Sequence, residues 1–226
     1  MSVLIEVEEK ISAARQFLRE RLQGASDACV TSSFQAEDVV VLHMVREILP
    51  AVPVLFLETG YHFPETLAYR DRMAAEWGLN LINVLPVHTV AEQEAEFGIL
   101  NQTAPDRCCA LRKVEPLFRA LGDYRIWVTG LRRQQSKSRA NLQVEETFAL
   151  PTGQKLQKLN PLADWTTRDV WQYAESQQIP LLPLYDLGYS SIGCAPCTSL
   201  PSDPNDPRSG RWGGNKLECG IHIQPS

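Results

Sequence analysis

A chain of 226 residues is long enough for one large domain with a full hydrophobic core and barely long enough for two. With 44% hydrophobic and 22% charged residues it has the balance of an ordinary globular protein, and its net charge of −5 argues against a nucleic-acid binder. No run of 18 apolar residues is present, which excludes a membrane-spanning helix.

The opening stretch, MSVLIEVEEKISAARQFLRERL, reads as an amphipathic helix with Ile11, Ala14, Phe17, Leu18 and Leu22 on one face. Glu6, Glu8, Glu9 and Lys10 interrupt any apolar run there, so a secretory leader is not expected. The chain is therefore expected in the cytoplasm, where its six cysteines serve better as ligands or nucleophiles than as disulfides. Short β-branched runs follow at 28–32, 52–57, 81–85 and 125–129, alternating with helical patterns at 36–49, 65–77 and 109–121. In the first of these helices Val41, Met44, Val45 and Ile48 share a stripe. Such alternation predicts an α/β fold, a doubly wound and mostly parallel sheet covered by helices. Ligands bind such sheets beyond the carboxyl ends of the strands, which directs attention to 32–38, 58–65 and 129–139. A further helix is expected within 160–177, capped by Thr166 or Thr167.

After Leu184 the character changes. Of the 18 residues 199–216, 13 are Pro, Gly, Ser, Asp or Asn, a composition that predicts a mobile C-terminal tail rather than a packed unit. The division expected is 1–198 as a nucleotide-binding domain and 199–226 as a flexible arm bearing Cys219.

Four groups of residues suggest chemistry. Ser32, Ser33, Phe34 and Gln35 lead from a strand into a helix, where free amides and a serine hydroxyl form an anion site; an ordinary helix cap is the plainer alternative. Cys108–Cys109 and Cys194-x-x-Cys197 supply four thiolates, the set for a structural zinc or an iron–sulfur cluster, and spacing alone leaves the metal open. Residues 106–139 carry nine Lys or Arg against three acids, including Lys113, Arg132 and Arg133, which suits a small anion better than a polymer track. Arg208 and Arg211 add charge just ahead of Cys219. Cys219 stands apart from the metal set, with His222 and Lys216 near in sequence to favour a thiolate and Glu218 to oppose it. Cys29, in an apolar strand, and His43, on a hydrophobic helix, read as packing residues, and His88 has no assigned role.

Taken together, SFQAEDVV (33–40), FLETGYHFPET (56–66), CCALRKVEPL (108–117), GLRRQQS (130–136), GCAPC (193–197), RSGRW (208–212) and ECGIH (218–222) resemble the assimilatory adenylyl-sulfate reductases of the sulfonucleotide reductase family. The resemblance covers nearly the whole chain. It implies an adenine-nucleotide α-hydrolase-like fold and a [4Fe-4S] cluster on Cys108, Cys109, Cys194 and Cys197. It further implies reduction of adenosine 5′-phosphosulfate in sulfate assimilation and cysteine biosynthesis, by a thioredoxin- or glutaredoxin-like reductant. Cys219, His222 and Lys113 take the catalytic roles. Ser32, Ser33, Phe34, Gln35, Glu58, Thr59, Gly60, Arg132, Arg133, Gln135, Arg208 and Arg211 are the expected substrate contacts. Glu58 departs from the family's usual Asp. The alternatives are a reductase of the 3′-phosphorylated nucleotide, a tRNA-thiolating pyrophosphatase and a non-catalytic metal sensor; a homo-oligomer is left open. The pyrophosphatase reading lacks its glycine-rich loop, because SSFQAED stands where SGGxDS would.

Overall fold

The computed structural model describes residues 2–203, 206–214, 216 and 218–223. Parts of the expected arm (Pro204, Asn205, Asn215, Leu217 and 224–226) thus lie outside the described residues, as does Met1 of the expected first helix. Helix α1, Ser2–Leu22, buries Val7, Ile11, Ala14, Leu18 and Leu22, the expected face with Phe17 only partly covered. Strands β1 (Ala28–Thr31), β2 (Pro53–Leu57), β3 (Asn80–Val84) and β4 (Ile126–Val128) match the four β-branched runs. Between them run α2 (Ala36–Arg46) and α3 (Pro64–Trp77). Helix α2 buries residues on every side, Val39 to Leu42 among them, as a helix covered on all faces must.

The sheet order is β3-β2-β1-β4-β6-β5. Val30 of β1 pairs in parallel with Val54 on one side and Val128 on the other. The chain thus winds outward from β1 to β3 and then returns to β4, making β1/β4 the switch point where two exit loops diverge. The sequence reading missed the hairpin of β5 (Glu145–Ala149) and β6 (Lys155–Leu159), antiparallel to each other and closing one edge. It also missed α4 (Val90–Phe97), set by a reciprocal Thr89–Glu92 cap.

The helix expected at 109–121 is longer and interrupted. It comprises α5 (Leu100–Thr103), α6 (Pro105–Cys109), a π-turn over Ala110–Val114, and α7 (Glu115–Leu121). Pro116 explains the interruption: it has no N–H for the carbonyl four residues back and its ring crowds that carbonyl, so the preceding turn widens. Helix α8 (Thr167–Ser176) starts at the expected cap, Thr166, whose side chain accepts from Asp169 N. No helix among the described residues is long and apolar enough to cross a membrane.

Candidate active site

A cavity of about 390 Å³, a volume in the range of small-molecule sites, opens where the β1 and β4 loops separate. The β1 loop is set by Phe34, fully buried with φ of 59°, a left-handed conformation costly for a residue with a side chain. Its ring is held edge-on against Phe56 and Tyr69. The amide of Phe34 donates to Ser32 Oγ (3.1 Å), while Ser33 is exposed and donates from both N and Oγ to Asp38 Oδ2 (2.6 Å each). Gln35 Nε2 donates to Ser33 Oγ (3.0 Å), and its Oε1 accepts from Ile192 N (2.8 Å), tying the loop to the 188–193 wall. Burial pushes the Asp38 carboxyl up to about 6, against the two bonds from Ser33, which favour its anion. Gly130, leaving β4, permits this closeness: a Cβ there would meet Asp38 Oδ1 and lie 2.9 Å from the Asp38 backbone nitrogen.

The two adjacent arginines of the β4 loop separate. Arg132 lines the cavity but is 3% exposed, and its guanidinium is engaged by Glu37, the Trp165 carbonyl (3.2 Å) and Thr167 Oγ1 (3.2 Å). Arg133 leaves the cavity, donating to the Leu142 carbonyl (2.7 Å) and pairing with Asp164. Of the two arginines expected to grip an anion, Arg132 joins the loop to α2 and α8 from the cavity wall, and Arg133 pins the loop from outside the cavity. The sequence reading missed Arg139, which lines the cavity beside Gln135.

In the 58–60 turn, Glu58 does not line the cavity. Its carboxylate holds the turn, accepting from Gly60 N (3.0 Å) and Arg70 Nη1 (3.0 Å). Gly60 has φ of 74° and no room for a Cβ, which would sit 2.7 Å from Val90 Cγ2; it too lies away from the cavity. Thr59 alone of the three lines it, with His62, whose ring packs on Phe56. Cys29 is fully buried and His43 is wedged between Trp77 and Tyr173, consistent with packing roles.

Cys108, Cys109, Cys194 and Cys197 line one small pocket with Tyr61, Arg112, Lys113 and Trp212. The π-turn carries Arg112 to the carbonyls of Thr59 and His88 and to Gln93, and leaves Lys113 facing both this pocket and the larger cavity. Thr59 Oγ1 lies 3.3 Å from Cys194 Sγ. Burial would raise the Cys194 thiol, but Lys113, Thr59 and Arg211 outweigh it and bring it down. Among the described residues no three Cys, His, Asp or Glu converge as one ion requires. Four thiols around one pocket, with Arg112 and Lys113 at its edge, are the donor set of a structural zinc or an iron–sulfur cluster.

The tail covers this junction. It packs more than its composition predicts: Thr198 bridges Arg211, Ser199 N donates to the Gly210 carbonyl (2.8 Å), and Arg211 and Trp212 are buried. The Arg211 guanidinium lies over the Trp212 ring (4.4 Å), so an aromatic core does what the Gly/Pro-rich stretch cannot. Arg208, Arg211, Cys219 and His222 all line the cavity. His222 stacks on Trp127 (5.4 Å, 16°), and its Nδ1 is buried without a partner. Burial, then the charges of Lys158, Arg139 and Arg208, hold its imidazole well below the usual range, so it is neutral at pH 7. Lys158 is the buried feature beneath it, paired with Glu146 (2.9 Å) and set over the Trp127 and Phe148 rings.

Residues 27–200 match the family described as phosphoadenosine phosphosulfate reductase domain. Adenosine 5′-phosphosulfate reductase of Rhodococcus erythropolis is 47% identical over 191 residues, 82% of this chain and 75% of its own length. Phosphoadenosine 5′-phosphosulfate reductase of Gloeobacter violaceus is 44% identical over 216 residues, 93% of this chain and 88% of its own. Among solved structures, phosphoadenylyl-sulfate reductase from Candida auris superposes with a TM-score of 0.69 at 29% identity, covering 83% of this chain and 90% of that one.

Proposed function

This chain belongs to the phosphoadenosine phosphosulfate reductase family, and from that membership we propose that it reduces adenosine 5′-phosphosulfate to sulfite, with release of AMP, in sulfate assimilation. The observation that carries the reading is the place of Cys219. It lies outside the four-cysteine pocket, on the wall of a nucleotide-sized cavity that Lys113, Arg208 and Arg211 also line. The phosphosulfate is held by Ser33, the first amides of α2 and these cations, with Arg139 added to the set. The Cys219 thiolate attacks sulfur, the bond from sulfur to the phosphate oxygen breaks, and AMP leaves with that electron pair. An S-sulfocysteine remains. A dithiol protein of thioredoxin or glutaredoxin type then attacks the Cys219 sulfur and releases sulfite. Its second thiol resolves the mixed disulfide, supplying the two electrons.

His222, neutral and stacked on Trp127, orients the arm rather than donating a full charge. Cys108, Cys109, Cys194 and Cys197 would hold a [4Fe-4S] cluster, which when bound supplies a compact charge that polarises the cations around it. Residues 199–226 act as an arm that brings Cys219 over bound nucleotide and withdraws to admit the reductant. Four thiols serving as ligands and a fifth as nucleophile suit a reducing cytoplasm.

The second reading, a preference for the 3′-phosphorylated nucleotide, rests on the name of the Gloeobacter relative. Comparing kcat/KM for the two nucleotides with a dithiol reductant separates them. We expect the unphosphorylated ribose to be favoured by about tenfold or more, a difference of about 1.4 kcal/mol or more. Equal or reversed values would make this a reductase of the other nucleotide.

Asp38 brings a pH dependence. Its carboxyl, raised to about 6 in the folded chain, is charged above that pH and repels an anion in the cavity it lines. Nucleotide affinity should therefore rise by about threefold between pH 7.5 and 5.5, and Asp38→Asn should flatten the change. Because the folded value lies above the unfolded one of 3.8, Asp38 also makes the fold less stable as pH rises from about 4 to 6. Calorimetric titration with adenosine 5′-phosphosulfate in the Cys219→Ser background reads the first effect. Affinity that is the same at both pH values would remove Asp38 from the anion site.

A further inference from the structure

Glu218, the residue just before Cys219, has a carboxylate whose surroundings the reaction above does not use. Its side chain is only 12% exposed, and donors surround it. Oε1 accepts from Ser136 Oγ (3.0 Å), Ser138 Oγ (3.0 Å) and Arg139 Nε (2.9 Å), and Oε2 from Arg139 Nη2 (2.7 Å). Arg208 Nη2 stands 3.7 Å from Oε2. Burial would raise this carboxyl, but the bonds and charge of Arg139, then Arg208, hold it below the usual carboxylate range. Arg139 and Arg208 line the cavity, whereas Glu218 does not, so its carboxylate meets them from behind the wall.

Two consequences follow from this placement. A bidentate Arg–carboxylate pair fixes orientation as well as distance, so the tail is clamped to the 136–139 turn at the residue adjoining the sulfur. The same negative charge partly neutralises two cations that a substrate anion would otherwise meet at full strength. We propose that Glu218 is a positioning residue that locks Cys219 and the cavity arginines into one unit, and that it does so at the expense of anion affinity. The proposal rests on the reading of Cys219 as the nucleophile. A carboxylate with this role has opposite effects on binding and on rate, which a merely structural residue does not.

Glu218→Gln tests it, since the amide keeps the shape and loses the charge. Binding is measured by calorimetry in the Cys219→Ser background, with adenosine 5′-phosphosulfate and with adenosine as the uncharged control. The added Glu218→Gln should tighten the phosphosulfate by about threefold or more and leave adenosine unchanged. With Cys219 intact, the single-turnover rate of AMP release should fall by about tenfold or more while KM falls, because a nucleophile held loosely meets sulfur less often. Glu218→Asp should bind as the parent does and recover part of the rate. Ser136→Ala with Ser138→Ala keeps the charge and removes two donors, so it should slow turnover without tightening binding. Unchanged affinity and rate in Glu218→Gln, or weaker binding together with a slower rate, would overturn the proposal. Turnover by Cys219→Ser alone would instead sink the nucleophile reading, and that result does not depend on residue 218.

Discussion

Cys219→Ser should abolish sulfite formation while the protein still binds adenosine 5′-phosphosulfate. The thiolate is asked to make a bond to sulfur, and a serine hydroxyl at neutral pH offers almost no anion to replace it. Losing the nucleophile should cost a factor of roughly a thousand or more, several kcal/mol of barrier. Binding should survive because the groups that hold the nucleotide are independent of this sulfur. Ser33 stands on the β1 loop, Lys113 on the π-turn, and Arg211 is packed over Trp212. Single-turnover AMP release together with calorimetric titration reads both halves. Residual sulfite formation above about a thousandth of the parent rate would rule out a covalent step at Cys219.

Strands β1 to β4 and the helices α1, α2 and α3 were legible because each carries its own pattern, and β-branched runs and helical stripes do not depend on distant residues. The β5–β6 hairpin was not. Its strands carry Glu145, Glu146, Lys155 and Lys158, and nothing local marks Lys158 as an interior residue. It is interior because Glu146 crosses the hairpin to meet it and Trp127 and Phe148 cover it, and those partners come from two other strands, β4 and β5.

The same limit applies within the site. The cysteine pairs could be read from spacing, and the structure gathers them into one pocket. Arg132, Arg133 and Arg139 look alike in sequence. What divides them is Glu37, Asp164 and Glu218, which lie far along the chain from the arginines they engage. Trp212 is the corresponding case in the tail. Composition counts it as one residue among many glycines and prolines, yet buried against Arg211 it is the anchor of the segment.

Cys194→Ser should lose iron, and turnover with it. The four thiols come from two places, the end of α6 and the 194–197 turn, which belong to segments far apart in sequence. Cys194 sits at the centre of their junction: it is buried, 3.3 Å from Thr59 Oγ1, and shares its pocket with Lys113 and Trp212. A serine there removes one of four soft ligands and leaves a hydroxyl that binds iron poorly at neutral pH, so the set can no longer enclose a cluster. Because ligand binding energy is also folding energy, the loss should reach the turn and the tail that leans on it through the Thr198–Arg211 bridge. Anaerobically purified parent protein should be brown and carry about four iron atoms per chain, whereas the variant should be colourless and melt roughly 5 °C lower or more. These readouts are independent of turnover. Full iron content in the variant would refute the ligand assignment, and a colourless parent holding one zinc per chain would replace the cluster with a structural metal.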